Sequence, residues 1–288
     1  MTEGRERNRP GAAWRLIIDG DDDGAWNMAV DEAILEAYAR ADPKPTPTLR
    51  LYGWRPATLS LGRSQPAEGA YDPRAAAREG VGVVRRPTGG GAVLHERERT
   101  YAVIGALGAW PLSGGVIATY RTIAEALARA LGLLGLLVVP VEPRRGAPAQ
   151  ASAACFERLG AWELAVHGRK LVGSAQARRR GALLQHGSIP LRIEPERLAA
   201  ILGSPVDGSR FTDLERARGA AIDGTSVDQA CISGFEETFG ATLIPGSLTE
   251  SEALRAAELR CWKYDSIAWT RGGTIGSREA RWGPAVSR

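Results

Sequence analysis

Residues 162–189 read WELAVHGRKLVGSAQARRRGALLQHGSI, and this stretch decides the fold. Two strand-like segments flank His167 and Gly168, a two-residue turn that suits a β-hairpin. A third segment of the same kind, Ala182–Ile189, follows the basic run at 178–180. We therefore expect three consecutive antiparallel strands here.

Strand and helix patterns alternate in the rest of the chain. Strands are expected at 14–19, 49–52, 58–62, 83–86, 92–94 and 100–104, and helices at 28–40, 73–80, 117–134, 227–239 and from Thr249 to Leu259. Gly240 should end the fourth helix, and Thr249 with Glu252 forms a capping-box pattern before the last. Hairpins mixed with helices predict an α+β fold, with a mixed and largely antiparallel central sheet flanked by helices.

The chain divides into one domain and two extensions. Residues 1–13 are charged and rich in Arg and Gly, which predicts a disordered leader. Residues 14–265 are expected to form one folded domain, and the Gly- and Arg-rich residues 266–288 a loose tail.

Composition limits the possible partners and cofactors. The 288 residues carry 37 Lys and Arg against 33 Asp and Glu, a net charge of +4 that is too mild to single out nucleic acid. The longest apolar run, 131–139, is far shorter than the roughly 20 residues needed to span a bilayer. Three widely spaced cysteines without a C-x-x-C pair indicate neither disulfides nor zinc. We expect a protein of the reducing cytosol with no metal, nucleic-acid partner or membrane partner.

The three cysteines differ in context. Cys231 and Cys261 lie at helical spacing from apolar residues, which predicts that both are small buried hydrophobes. Cys155 lies in a loop, on no amphipathic stripe. Even so, a loop cysteine taken alone is more often inert than catalytic.

The position of Lys170 favours a catalytic role for Cys155. The hairpin register pairs Ala165 with Lys170 and sets the lysine on one sheet face with Val172 and Ser174. Spacing alone favours a lysine that reaches solvent at a sheet edge. The functional alternative is an ammonium beside the Cys155 loop, where it would lower the pKa of a thiol from about 8.5 and create a nucleophile for acyl transfer.

Other polar motifs permit two interpretations each. The loop at 85–92, RRPTGGGA, lacks a P-loop ending, so its glycines form either a tight turn or a ligand wall. His95 and His186 each end a strand-like segment, as satisfied structural histidines or as catalytic ones. The run at 178–180 is a solvated turn or a docking point for an acidic protein.

Four segments together resemble a known superfamily: 27–33 (NMAVDEA), 85–95 (RRPTGGGAVLH), 168–176 (GRKLVGSAQ) and 181–188 (GALLQHGS). They are similar to the biotin/lipoate protein ligase and octanoyltransferase superfamily. Within it, ACFE at 154–157 ahead of WEL is similar to the cysteine-dependent octanoyltransferases. The resemblance implies a catalytic domain with a central mixed sheet and helices outside it.

The resemblance also implies a chemistry without a cofactor. Cys155 would carry the acyl group as a thioester, and Lys170 would lower the pKa of that thiol. The donor would be octanoyl-acyl carrier protein, and the acceptor a lysine of a lipoyl domain such as the glycine cleavage H protein. Candidate substrate-binding residues are Arg86, Gly89, Gly90, Gly91, His95, Gly173, Ser174, Ala175 and His186.

Three alternatives remain open at this point. In an ATP-dependent lipoate ligase, Lys170 would hold an acyl-adenylate and Cys155 would be incidental. The chain departs from those ligases in having His95-Glu96 where they carry His-Asp before Asn, and in having no long domain after residue 265. The second alternative is a transferase that passes octanoyl from one lipoyl domain to another. The third is a noncatalytic module that binds an acyl group or a nucleic acid.

Overall fold

A computed structural model describes residues 12–108, 110–141 and 163–274. Its elements in chain order are β1 (Ala12–Asp22), α1 (Gly24–Arg40), β2 (Thr48–Trp54), β3 (Thr58–Leu61), α2 (Pro73–Arg78), β4 (Gly82–Arg85), β5 (Val93–His95), β6 (Glu98–Ala106), α3 (Val116–Leu133), β7 (Val139–Pro140), β8 (Leu164–Val166), β9 (Arg169–Arg179), β10 (Ala182–Pro190), α4 (Pro195–Leu202), α5 (Leu214–Arg218), α6 (Gly224–Phe239), β11 (Ala241–Pro245), α7 (Glu250–Leu259), a π-helical turn (Arg260–Tyr264) and α8 (Ile267–Gly272).

Eight of these strands form the central sheet, in the order β11-β1-β2-β6-β10-β9-β8-β7. β1 pairs in parallel with β2 and β11, and every other neighbouring pair is antiparallel. The predicted α+β fold with a mixed, largely antiparallel sheet is confirmed.

Side chains alternate between two apolar layers because successive residues of a strand point to opposite faces. Leu49 and Leu51 of β2 belong to the core under α3 and α6, whereas Tyr52 faces α1 and the C-terminal helices. A smaller sheet, β4-β3-β5, packs with α2 and α4 around a third core. The helices therefore cover both faces of the central sheet, as predicted.

The hairpin at His167-Gly168 forms with the predicted register, since Val166 pairs with Arg169 and Ala165 with Lys170. An irregularity follows directly, so that Leu164 pairs with Val172. Both turn residues have positive φ, 48° for His167 and 75° for Gly168, as such a two-residue turn requires.

The C-terminal part departs from the sequence prediction. The capping box of Thr249 and Glu252 starts α7 as predicted. Beyond it, α8 buries Trp269, whose indole donates to the Arg85 carbonyl oxygen at 2.9 Å. The boundary predicted at residue 265 therefore falls inside packed structure, because one tryptophan anchors a helix that composition alone does not indicate.

The cysteine predictions had different outcomes. Cys231 is 1% exposed within the core formed by α3 and α6, as predicted. Cys261, predicted to be buried, is exposed, so that prediction is wrong. The stripe from which its burial was inferred lies on the exposed face of α7, since Leu254 is 63% exposed and Ala257 is exposed as well.

None of the helices within the described ranges combines the length and apolarity needed to cross a membrane.

Candidate active site

A cavity lies where the small sheet meets the central sheet and α1. Seven of the predicted site residues line it, namely Arg86, His95, Lys170, Gly173, Ser174, Ala175 and His186. Its apolar wall comes from residues that sequence reasoning did not select: Met28, Tyr52, Trp54 and Val93. One face of the cavity is thus apolar, and the other carries backbone and charged groups.

Lys170 is fully buried, so its interpretation as an edge lysine that reaches solvent is wrong. Its backbone N–H donates to the Arg210 carbonyl at 2.9 Å, and its own carbonyl accepts from Thr212 N–H at 2.8 Å. Residues 210–212 therefore pair with the backbone of β9 at Lys170, where the sequence analysis expected an exposed sheet edge. The Lys170 ammonium donates to the Glu163 carboxylate at 2.5 Å, so a buried cation has its counter-charge beside it.

Two glycines make room for this ammonium and for the cavity floor. A Cβ on Gly173 would lie 3.1 Å from Lys170 Cε, and a Cβ on Gly187 would lie 2.5 Å from the Gly173 carbonyl oxygen. Beside them, the Ser174 and Tyr101 hydroxyls are hydrogen-bonded at 2.7 Å. At Gly173 the backbone of β9 therefore approaches the cavity without an intervening side chain.

The three glycines at 89–91 are placed differently from the prediction. They are not among the described residues that line the cavity, and Gly89 and Gly90 are exposed. Gly90 has φ 98°, and its carbonyl oxygen would lie 1.9 Å from a Cβ on Gly62. The triplet is a tight turn packed on the loop after β3.

Arg86 organises this turn from within. It is 4% exposed, and its guanidinium donates to the carbonyl oxygens of Gly89 at 2.7 Å and Gly91 at 2.8 Å. Another of its nitrogens donates to the Ser60 carbonyl oxygen and hydroxyl, both at 3.0 Å. Arg86 thus joins the turn to β3 at the cavity edge.

His186 is held on both ring nitrogens. Nε2 lies 2.7 Å from the Thr88 hydroxyl, and Nδ1 lies 2.9 Å from Asp31. Burial lowers the pKa of His186, and it outweighs the opposing effect of Asp31. Burial also raises the pKa of Asp31, but hydrogen bonds and charges from His186 and Arg50 hold it below its usual range.

His95 has the same arrangement. Its Nε2 lies 2.8 Å from the Ser60 hydroxyl and its Nδ1 2.9 Å from Glu98, while its ring stacks on Trp54 with centroids 4.0 Å apart. Burial raises the pKa of Glu98, yet the charge and hydrogen bond of His95 leave it below its usual range. Of the two interpretations offered, both histidines have the geometry of satisfied structural residues that also line the cavity.

Sequence reasoning did not select Asp31, Glu98 or Glu163 as site residues. A signal existed for Asp31, because Asn27 and Asp31 are polar residues one turn apart on a helix face that is otherwise apolar, and both are fully buried. The His186 partner of Asp31 is 155 residues away in the sequence, whereas Glu98 and Glu163 lie only three and seven residues from His95 and Lys170.

Two sequence predictions remain to be compared with the structure. Cys155 lies outside the described residues, so its catalytic role stays a prediction. In the basic run, Arg178 donates to the Thr119 hydroxyl at 2.7 Å and Arg179 pairs with the buried Glu32, so these two do not form a freely solvated turn.

The chain is similar to known proteins over most of its length. Residues 23–236 match the lipoyl protein ligase A/B catalytic domain. The chain is 43% identical to octanoyltransferase LipM of Kyrpidia tusciae over 270 residues, which cover 89% of this chain and 97% of that protein.

Solved structures show the same fold. A lipoate-protein ligase A bound with ATP superposes with a TM-score of 0.77 at 26% identity, covering 92% of this chain and all of that one (100%). A lipoate protein ligase from Thermoplasma acidophilum, studied with its E2 lipoyl domain, gives a TM-score of 0.74 at 25% identity and covers 93% and 98%. The chain therefore belongs to the lipoyl protein ligase A/B catalytic domain family, and it is an acyltransferase of that family.

Proposed function

We propose that this chain, an octanoyltransferase of lipoate biosynthesis that acts on a lipoyl domain, works through a thioester on Cys155. The donor is octanoyl-acyl carrier protein, the acceptor is the glycine cleavage H protein, and the reaction takes place in the cytoplasm. The buried Lys170–Glu163 pair on a half-apolar cavity is the observation that carries this proposal.

The reaction has two steps. The Cys155 thiolate attacks the thioester carbonyl of the octanoyl donor, the bond to the carrier sulfur breaks, and that sulfur leaves as a thiolate that takes up a proton. The neutral amine of the lipoyl-domain lysine then attacks the new thioester. The nitrogen loses a proton, the amide forms, and Cys155 is released as the thiolate.

Lys170 supplies the positive charge for both steps. A buried ammonium stabilises a nearby thiolate more strongly than an exposed one, because water screens it less. Glu163 holds the ammonium beside Gly173 and compensates its charge while the cavity is empty. In this mechanism the same ammonium also donates to the acyl carbonyl oxygen as negative charge develops there.

The backbone of β9 and the apolar wall divide the remaining work. The N–H groups near Gly173, Ser174 and Ala175 are candidate donors to the oxyanion, since these residues line the cavity. Tyr52, Trp54, Met28 and Val93 offer the apolar surface that an eight-carbon chain needs.

Intact mass spectrometry tests the proposal. After incubation with octanoyl-acyl carrier protein and no ATP, we expect one added octanoyl group, mapped to Cys155 and removed by hydroxylamine. Cys155→Ser should lose transfer, whereas Cys261→Ser should keep it. An octanoyl group on Cys231 or Cys261, or no adduct at all, would contradict the thioester mechanism.

A second candidate is an ATP-dependent lipoate ligase, favoured by the likeness to the ligase bound with ATP. This function requires free octanoate or lipoate as the donor, and Lys170 would then contact an acyl-adenylate. Transfer measured with free octanoate, with and without ATP and magnesium, separates the two. Strict dependence on ATP would support the ligase.

A further inference from the structure

Two polar chains contact the Arg86–Gly91 turn, one at Thr88 and the other through Ser60, which accepts from Arg86. One runs from the Thr88 hydroxyl through His186 to Asp31, with contacts of 2.7 and 2.9 Å. The other runs from the Ser60 hydroxyl through His95 to Glu98, with contacts of 2.8 and 2.9 Å. Each has the order hydroxyl, imidazole, carboxylate.

The order fixes where the protons lie. An ionised carboxylate only accepts hydrogen bonds, so the Nδ1 atom that faces it carries the ring proton. In a neutral imidazole Nε2 is then an acceptor, and the hydroxyl must donate to it. At His95 a second constraint agrees, because an Arg86 guanidinium nitrogen donates to the Ser60 oxygen at 3.0 Å and turns the Ser60 proton toward the ring.

Both carboxylates are themselves held. Asp31 accepts from Arg50 at 2.8 Å and from the Tyr52 hydroxyl at 2.9 Å. Glu98 accepts from the hydroxyls of Thr100 and Ser188, each at 2.5 Å. The two carboxylates are therefore fixed ends, and the hydroxyls are the ends that meet the turn.

The turn depends on those hydroxyls at two points. Thr88 directly precedes the three glycines, and its carbonyl oxygen accepts from Arg63 N–H at 2.8 Å. Ser60 holds Arg86, whose guanidinium gathers the carbonyl oxygens of Gly89 and Gly91. Thr88 and Ser60 are thus the residues through which the two chains contact the turn.

We propose that Asp31 and Glu98 are positioning residues that set the tautomers of His186 and His95, and through Thr88 and Ser60 hold the Arg86–Gly91 turn in the geometry for acyl loading. The loading part rests on the proposed function, whereas the tautomers and the turn can be observed without any reaction.

Nitrogen-15 NMR tests the tautomers, and it is favourable here because the chain has only three histidines. His167 is exposed and serves as the internal reference. In the neutral form of each buried ring we expect the proton on Nδ1. A neutral ring with its proton on Nε2 in either buried histidine of the wild-type protein would overturn the proposal.

Variants test the connection to the turn. Asp31→Asn should move the His186 proton to Nε2, because the asparagine amide can donate to Nδ1, and should leave His95 unchanged. Thr88→Val keeps the side-chain shape but removes the hydroxyl, and Thr88→Ser restores it. Thr58→Val is the matched control, a 2% exposed threonine whose hydroxyl donates to Pro56 O outside both chains.

We expect Thr88→Val and Asp31→Asn to shift the backbone amide signals of Gly89, Gly90 and Gly91 and to slow octanoyl loading about tenfold, the effect of one lost hydrogen bond. Thr88→Ser should recover the signals and most of the rate, and Thr58→Val should change neither. Unmoved glycine signals in Thr88→Val, or equal shifts in Thr58→Val, would overturn the proposal, even if no acyl adduct forms on any variant. If Asp31→Asn fails to fold, the glycine signals of Thr88→Val and the wild-type tautomers still test the proposal.

Discussion

At the scale of single residues, burial distinguishes the polar groups of this protein. Lys170 is fully buried with Glu163 at 2.5 Å, whereas the pair of Arg129 and Glu237 is about half exposed. A buried charge pair is strongly coupled to both folding and chemistry, and an exposed pair is screened by water.

The first prediction concerns the charge that the proposed mechanism sets beside Cys155. Lys170→Gln should raise the pKa of the Cys155 thiol toward or above the free value of about 8.5, because the ammonium is lost and the cavity stays partly apolar. The rate of iodoacetamide alkylation against pH measures it. Only Cys261 needs replacement by serine, because burial raises the pKa of Cys231 to about 12 and keeps it unreactive. An unchanged profile would assign Lys170 to the acyl carbonyl instead.

The second prediction concerns Glu163. Glu163→Gln should lower the free energy of unfolding by about 3 kcal/mol, because the buried ammonium loses the carboxylate that lies 2.5 Å from it. Urea denaturation measures this. Glu237→Gln, at the exposed pair with Arg129, is the control and should leave the free energy of unfolding almost unchanged. Equal effects of the two substitutions would refute the buried pair.

At the scale of elements, β9 and β10 form the floor of the site because each contributes a glycine, Gly173 and Gly187, where the two strands pair. Gly187 pairs with Ser174 across the two strands and also faces Tyr101 of β6. No larger side chain fits at this crossing, since a Cβ on Gly187 would meet Tyr101 Cε1 at 2.6 Å.

Gly187→Ala should therefore destabilise the protein by about 1–3 kcal/mol, as overpacking of a tight core does. Thermal unfolding measures the loss. Gly132→Ala, on α3 with open space around the added Cβ, should be neutral or slightly stabilising, since alanine is the better helix former. A Gly187→Ala variant as stable as the wild type would show that the strands separate easily.

Elements were the level that the sequence predicted best, because they depend on near neighbours. The hairpin register at Lys170 follows from two turn residues, and α6 follows from an apolar stripe that ends at Gly240, which has φ 58°. The burial of Lys170 could not be predicted in this way. It depends on residues 210–212, about 40 positions away, which pair with the backbone of Lys170.

At the scale of the whole molecule, four buried ionisable groups contribute to stability in the same direction with pH. The pKa values of His186, Asp31, Glu98 and Glu32 are all lowered in the folded protein. Below the ordinary value of each group the unfolded chain binds more protons, so acidification favours unfolding.

We expect the melting temperature to fall as the pH drops below 6.5, where His186 of the unfolded chain takes up a proton, and to fall further below 4.5, where the carboxylates follow. Asp228, whose pKa burial raises, offsets part of the second phase. Differential scanning calorimetry from pH 8 to 4 measures this. His186→Gln should remove the first phase only, and a flat profile between pH 6.5 and 5 would contradict the burial of a neutral His186.

The pairing of the first strand with the last one affects how the chain can fold while it is being synthesised. Ala12 pairs with Ala241, so β1 leaves the ribosome long before β11, the strand that covers one of its edges. At ordinary elongation rates the interval is on the order of tens of seconds. During that time β1 can pair with β2 but offers its other backbone edge to any extended chain nearby. The newly made protein is therefore most open to mispairing and to chaperones until its last strand has been synthesised.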